Sequence, residues 1–158
     1  MYYREQDIVD WAYDKGIVQA ADRLTQSLKT MEEVAELIKH FLKEQPIMDD
    51  IGDIYVTIVV QAHMNNYDIQ EIHENPKDFE KSDSIKEQIA NMMMDASMLA
   101  DSIMTEYPTE YWISNIYNGL IIIADAMDLS FPRCIDMAYD EIKGRKGKMV
   151  DGVFVKNE

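Results

Sequence analysis

The fold class depends most on residues 54–60, which read Ile-Tyr-Val-Thr-Ile-Val-Val. These residues are mostly β-branched or aromatic and apolar on nearly every face, so on propensity alone they could form a buried parallel strand. The apolar pattern, however, continues from Ile47 to Met64, which is longer than a usual strand. Length therefore favours a fully buried helix at the centre of a bundle, and the strand remains the alternative.

The region before this stretch carries the clearest helical periodicity. Within residues 18–43, five apolar residues recur at spacings of three and four and predict a helix that buries them: Leu28, Met31, Ala35, Ile38 and Leu42. Thr30 and Glu33 have the spacing of a capping box, but the apolar pattern runs through them, so they belong to the helix interior. A shorter amphipathic pattern over residues 5–15 predicts another helix.

The remainder of the chain also reads as helices. Polar residues 65–84 predict a loop with one helical turn, and residues 84–105 and about 109–128 predict two helices. A last helix begins at Pro132 and ends at Gly144 or Gly147, and Asp151-Gly152 predicts a hairpin over residues 149–155. Since only 6 Gly and 4 Pro are present, we expect an all-α, four-helix-bundle-like single domain over residues 1–158, with this short C-terminal hairpin.

A faint repeat links the two most apolar helices. Residues 54–55 and 58–62 resemble residues 116–117 and 120–124, at an offset of 62. The acidic positions do not repeat, because Asp50 aligns with Trp112 and Asp53 with Asn115. Chance is the alternative, since apolar helices resemble each other easily. A real repeat would describe two helix pairs around a pseudo-twofold axis, of which one carries the chemistry.

Composition limits the partners of the chain. Its 158 residues include 15 Lys+Arg and 30 Asp+Glu, so its net charge of −15 repels nucleic-acid phosphates and anionic membranes. A lone cysteine, Cys134, excludes an intrachain disulfide. The apolar runs stay below the about 18 residues that a membrane span needs, and the N-terminus has no apolar signal core. We therefore expect a soluble cytoplasmic protein with no membrane or direct nucleic-acid binding.

Two acidic motifs stand out, Glu-Glu-Val-Ala-Glu at residues 32–36 and Asp-Asp-Ile-Gly-Asp at residues 49–53. Glu33 and Glu36, like Asp50 and Asp53, are three residues apart and share a helix face. A short connection at Pro46 predicts an antiparallel hairpin in which the two pairs face each other. Four close carboxylates would repel unless a cation joined them, and such oxygen ligands suit Mg²⁺ or Mn²⁺ together with substrate phosphates.

Simpler interpretations of these carboxylates remain open. On a helical projection Glu33 and Glu36 point away from the apolar stripe, as residues of a solvated acidic face would. Asp50 and Asp53 could be charges that favour a helix N-terminus.

The order Gln26, Lys29, residues 32–37 and residues 50–53 resembles the MazG-like nucleotide pyrophosphohydrolases. That all-α family is marked by Glu-x-x-Glu, followed on the next helix by Glu-x-x-Asp, where this chain has Asp50 in place of the usual Glu. Residues 138–149 are similar to the family's closing helix and basic tail, particularly in phage-encoded members. The resemblance covers residues 8–64 and 133–156, and leaves 65–110 as an inserted helical segment.

This resemblance implies a site, a reaction and an assembly. Glu33, Glu36, Asp50 and Asp53 would bind Mg²⁺, and Glu33 or Glu36 would be the catalytic base. The reaction would hydrolyse a nucleoside or deoxynucleoside triphosphate to its monophosphate and pyrophosphate. The implied assembly is a homodimer or homotetramer, and the implied setting is the cytoplasm of a phage-infected bacterial host. Cationic and polar contacts to the substrate would come from Gln26, Lys29, Lys143, Arg145 and Lys146.

Several of these residues also have structural interpretations. Basic residues after a helix favour its dipole, and Trp11 and Trp112 are more typical of a core or interface than of base stacking. His40, His63 and His73 lack zinc spacing and are interpreted as structural or surface residues. Two other functions remain open, an acidic mimic of nucleic acid that blocks a basic partner, and a nucleotide-binding or oligomerisation module without turnover.

Overall fold

The computed structural model describes residues 3–74 and 84–157. The predicted loop residues Asn75, Pro76, Asp78, Lys81, Ser82 and Asp83 lie outside this range. The described elements are α1 (Glu5–Asp14), α2 (Ile17–Ala20), α3 (Arg23–Leu42), α4 (Met48–Met64), α5 (Ile69–Glu74), α6 (Ile85–Met104), α7 (Glu110–Ala126), α8 (Phe131–Ile142), β1 (Gly147–Val150) and β2 (Val153–Lys156). The predicted all-α class with a short C-terminal hairpin is confirmed. None of the described helices is both long and apolar enough to cross a bilayer.

Helix α4 is the centre of the fold, and it contains residues 54–60. It packs against α1, α3, α7 and α8, so every residue from Ile54 to Ala62 is buried. The ring of Tyr55 lies edge-on to Phe131 with centroids 5.6 Å apart, and its hydroxyl donates to the Tyr3 carbonyl at 2.8 Å. Because other helices surround α4, it has no polar face. Residues 54–60 are helical, so the strand alternative is wrong.

Helix α3 buries a different face from the one that the apolar periodicity predicts. Its N-cap is Asp22, whose carboxylate accepts from the Thr25 amide at 2.6 Å, so Thr30 and Glu33 are interior as predicted. The predicted stripe is wrong as a core face, because Leu28, Ala35 and Leu42 are exposed and Met31 and Ile38 are half-buried. The residues that are buried instead are Gln26, Ser27, Thr30, Val34 and Leu37.

Polar residues can point inward on α3 because α4 supplies their hydrogen-bond partners. The Gln26 side-chain amide donates to the Thr57 carbonyl at 3.0 Å, and the Thr30 hydroxyl donates to the Thr57 hydroxyl at 2.9 Å. Buried polar groups with such partners cost little, so this face forms the interior without an apolar pattern.

The offset of 62 residues in the sequence reappears in the helix boundaries. Helices α3 and α6 have 20 residues each, and α4 and α7 have 17 each, with every boundary displaced by 62. Asp22 and Ser84 cap α3 and α6 in the same way, each accepting from the amide three residues later. α3 packs on α6 and α4 packs on α7, as expected for two helical hairpins related by a pseudo-twofold axis.

This pairing changes the interpretation of residues 65–110. The predicted inserted segment contains α5 and α6, but α6 packs against α7, which extends to Ala126. Helix α6 is therefore the first helix of a second hairpin, whose other helix is α7. Helix α8 ends at Ile142, and the β1–β2 turn places Asp151 and Gly152 at φ 50° and 80°, the left-handed region that an Asp-Gly hairpin turn uses.

Candidate active site

A cleft of about 300 Å³ lies between α3, α4 and the segment that follows α8. Its charged wall consists of three carboxylates and three cations: Glu32, Glu33, Asp53, Lys29, Arg145 and Lys156. Its apolar wall includes Trp11, Val56 and Phe154. The cleft therefore joins charged groups of both signs to an apolar surface, an arrangement typical of small-molecule sites.

Glu33 and Asp53 form the electrostatic centre of this cleft. Burial, together with the charge of Glu33, raises the pKa of Asp53 to about 7. Burial also raises the pKa of Glu33, and the negative charge of Glu32 adds to this effect. The Arg145 guanidinium lowers both pKa values, but not enough to offset burial. A bound cation would relieve the remaining repulsion.

The other two predicted metal ligands are joined by a histidine. Asp50 is only 4% exposed, and its carboxylate oxygens lie 2.8 and 3.0 Å from His40 Nδ1. Burial raises the pKa of Asp50, and the hydrogen bond with His40 opposes that shift. His40 Nε2 lies 3.9 Å from the Glu36 carboxylate. Of the four carboxylates predicted to form one cluster, Glu33 and Asp53 thus line the cleft, while Glu36 and Asp50 lie on either side of His40. The charge of Asp50 still contributes to raising the pKa of Glu33.

The spacing of the histidines predicts a structural or surface position for His40 and does not indicate its contact with Asp50. A signal was available, because His40 follows Glu36 by four residues and must share its helix face. The distance to Asp50 depended on how α3 meets α4, which spacing within α3 does not specify.

The donor set of the cleft suits a metal ion that keeps much of its water. Among residues 3–74 and 84–157, no group of three or more His, Cys, Asp or Glu side chains is placed to hold a metal ion. Mg²⁺, however, is usually held by one or two carboxylates with waters and substrate phosphates rather than by a protein cage. Glu33 and Asp53 meet that requirement, whereas Asp50 is engaged by His40.

The predicted substrate-binding residues separate into two groups. Gln26, Lys29 and Arg145 line the cleft, although the Gln26 amide nitrogen already donates to α4. Lys143 and Lys146 are not among the described residues that line the cleft. Lys143 instead pairs with Asp140 at 2.7 Å. Lys156 lines the cleft as well. Its position is not predictable from spacing within the sequence, because the turn of the hairpin brings β2 back to the cleft.

The remaining residues singled out in the sequence have structural contacts. Trp11 lines the cleft, and its indole nitrogen donates to the Ile142 carbonyl at 3.1 Å, which ties α1 to the end of α8. Trp112 packs edge-on to Tyr111, with ring centroids 4.8 Å apart. His63 lies 2.8 Å from the Tyr13 hydroxyl. Cys134 is buried, and burial raises its thiol pKa to about 11.

The second hairpin carries a reduced counterpart of the cleft. At the offset of 62, Gln88, Asp95 and Asn115 correspond to Gln26, Glu33 and Asp53. Asp95 is buried and accepts from the Asn115 amide at 3.4 Å, and burial raises its pKa to about 6. The counterparts of Glu36 and Asp50 are Met98 and Trp112. One carboxylate therefore stands where the first hairpin has four.

Comparison with known proteins gives one informative similarity. The chain is 37% identical over 65 residues to an uncharacterized 18.2 kDa protein in the rep-hol intergenic region of Haemophilus phage HP1 (strain HP1c1). That match covers 40% of this chain and 40% of the phage protein. No family model matches the chain, and no solved structure matches it. The chain thus has a phage relative, which is compatible with the expected phage setting.

Proposed function

We propose that the protein is a Mg²⁺-dependent nucleoside triphosphate pyrophosphohydrolase of the MazG-like kind, with Mn²⁺ as an alternative metal. The observation that carries the proposal is that Glu33 and Asp53 line one cleft together with Lys29, Arg145 and Lys156. Carboxylates suit a hard metal ion, and the cations suit the phosphates that such an ion accompanies. Apolar lining residues such as Trp11 and Phe154 would contact the nucleoside.

The proposed reaction assigns separate tasks to the residues of the cleft. Bound Mg²⁺ would neutralise phosphate charge and lower the pKa of a coordinated water. Glu33 and Asp53 would hold the metal, while the planar fork of Arg145 would bind phosphate oxygens. Lys29 of α3 and Lys156 of β2 would add positive charge.

Water would attack the α-phosphorus, and the bond from that phosphorus to the bridging oxygen would break. Pyrophosphate would leave, and the proton of the water would pass to a carboxylate. Of the two bases that the family resemblance implies, Glu33 suits this task because it lines the cleft, whereas Glu36 is not among the described lining residues.

A nucleotide-binding module without turnover is the second candidate. The contact between Asp50 and His40 favours it, because Asp50 already stands in place of the longer Glu of the family motif. Such a module would use the same cations for phosphate, so nucleotide binding alone does not separate the two functions.

The test is pyrophosphate release from a panel of ribo- and deoxyribonucleoside triphosphates, with Mg²⁺, with Mn²⁺ and with EDTA. Asp53→Asn installs in α4 the amide that α7 carries at Asn115. Since loss of a residue that only orients a ligand costs about 10- to 100-fold, loss of a ligand is expected to cost at least about 100-fold. Asp95→Asn is the matched control in the second hairpin, and it should retain release.

A folded wild type that releases no pyrophosphate from any nucleotide would overturn the hydrolase proposal, and nucleotide binding by calorimetry would then support the module. Equal loss in Asp95→Asn and Asp53→Asn would overturn the site assignment. Metal binding has an independent readout, because Mg²⁺ should raise the melting temperature of the wild type more than that of Asp53→Asn.

A further inference from the structure

Helices α3 and α4 carry their acidic residues at two successive levels of one hairpin. Glu33 and Asp53 form the first level, which lines the cleft. Glu36 follows Glu33 by one helical turn, and Asp50 precedes Asp53 by one turn. The hydrogen bonds between the two helices join early residues of α3 to late residues of α4 and late to early, so the helices run antiparallel. Glu36 and Asp50 therefore form the second level, where another pair of carboxylates could hold a second metal ion.

His40 occupies this second level. It lies one turn beyond Glu36 on the same face of α3. Its Nδ1 is 2.8 and 3.0 Å from the two carboxylate oxygens of Asp50, and its Nε2 is 3.9 Å from a Glu36 oxygen. The imidazole thus lies between the two carboxylates, and an ion that bridged them would have to displace it.

Displacing His40 from Asp50 would be unfavourable. Asp50 is only 4% exposed, and among the residues that the structure describes His40 alone hydrogen-bonds its side chain. A buried carboxylate that loses its partner carries a desolvation cost. Mg²⁺ gives up its own water reluctantly, so the level that opens into the cleft suits it better than this buried one.

The charges around each aspartate also separate the two levels. Apart from burial, the charge of Glu33 has the largest effect on the pKa of Asp53. His40 instead has the largest effect, after burial, on the pKa of Asp50. The charge of Asp50 does act on Glu33, but it contributes less than the charges that line the cleft. An ion bound by Glu33 and Asp53 would therefore interact only weakly with Asp50.

We propose that His40 is a positioning residue that withholds Asp50 and Glu36 from metal binding, so that the chain binds one divalent ion, at Glu33 and Asp53, rather than two. His40 acts through Asp50 and does not itself contact the ion. This inference rests on the metal site of the proposed function, but it is a separate statement, because hydrolysis could use one ion or two.

The first test counts the Mn²⁺ ions bound per folded chain, by calorimetry and by electron paramagnetic resonance of the free ion. We expect one ion for the wild type. His40→Ala removes the imidazole and should bind a second ion through the freed carboxylates, a gain that loss of structure alone would not produce. His40→Asn is the matched control, since its amide nitrogen can replace Nδ1 as the donor to Asp50, and it should bind one ion. A wild type that binds two ions, or a folded His40→Ala variant that still binds one, would overturn the proposal.

The second test compares the two aspartates and leaves His40 in place. Asp53→Asn should weaken Mn²⁺ binding at least about 100-fold, as expected for loss of a ligand. Asp50→Asn should keep the wild-type affinity and bind one ion, because Asp50 is not a ligand. Comparable losses in both variants would overturn the assignment of His40.

Pyrophosphate release measured on the same samples separates this inference from the hydrolase proposal. Release by a wild type that binds two ions would overturn the role of His40 and leave the hydrolase standing. One bound ion without release from any nucleotide would do the reverse. A wild type that binds no ion would overturn both.

Discussion

At the residue scale, the two hairpins place a carboxylate at corresponding positions of their first helices. Glu33 of α3 opens into a cleft with Arg145 and Lys29, whereas Asp95 of α6 is buried against Asn115. Burial raises the pKa of both carboxyl groups. Cations near Glu33 partly lower its pKa again, whereas none acts on Asp95 in this way. Asp95 is therefore a carboxylate for which the proposed chemistry has no use, and its effect should appear in stability.

Asp95 should make the protein less stable as pH rises. Its pKa is about 6 in the folded protein, against 3.8 for an unperturbed aspartate, so its favourable contribution is complete below pH 3.8 and is lost as pH rises through about 6. Asp95→Asn should remove this loss and increase the free energy of unfolding above pH 6 by on the order of 2 kcal/mol.

Urea unfolding from pH 4 to pH 8 measures this difference. Asp101→Asn, at an exposed position of the same helix, is the control and should follow the wild-type curve. Parallel curves for wild type and Asp95→Asn would contradict the prediction.

At the scale of elements, the position of α4 against α8 depends on Gly52, between the two aspartates. A Cβ at Gly52 would lie 2.7 Å from the Ala138 Cβ and would collide with the Cys134 carbonyl oxygen. Glycine is unfavourable inside a helix, so its presence here reflects the close approach of two backbones. The same approach places Asp53 near the basic segment that follows α8.

Gly52→Ala should destabilise the protein. Alanine would gain about 1 kcal/mol from helix propensity, but overpacking against a backbone costs about 1–3 kcal/mol or more, so packing decides the sign. We expect a net loss on the order of 2 kcal/mol in urea unfolding. Gly144→Ala is the matched control, because a Cβ there would have no described atom within 4 Å. Equal stability of both variants would contradict this account of the helix crossing.

The helices also differ in how well the sequence predicts their bounds and their buried faces. The bounds of α4, α6 and α7 were predicted to within about two residues, because long apolar patterns and their breaks are local properties of the chain. The buried face of α3 was not predicted, because the helix carries an apolar stripe and also a second, partly polar stripe, and the second one is buried. Periodicity identifies an apolar stripe, but it does not say whether the stripe meets its own core or another surface.

At the scale of the whole molecule, the net charge of −15 acts against the folded state. Several ion pairs join residues only three or four apart in the sequence and at the protein surface, for example Lys29 with Glu32 and Lys143 with Asp140. Such pairs contribute little to stability. Repulsion among the surplus carboxylates should therefore remain a measurable cost.

Sodium chloride should raise the melting temperature at neutral pH, because it screens that repulsion. Thermal unfolding in EDTA, from low salt to about 0.15 M, where the screening length is about 8 Å, measures the effect. The control is the same titration near pH 4.4, the sequence isoelectric point, where the effect should be small. A melting temperature that falls with salt at neutral pH would show that attractive pairs dominate.

Local sequence was sufficient for the helical class, for most helix bounds and for the hairpin turn, because these depend on residues that are close in the chain. It also identified Glu33 and Asp53 as members of one candidate site. Tertiary structure decided that His40 engages Asp50, that Lys156 rather than Lys143 or Lys146 lines the cleft, and that Leu28 and Leu42 of α3 face outward. These outcomes depend on how α3, α4 and β2 pack together, and contacts between distant segments are not encoded in the spacing within any one of them.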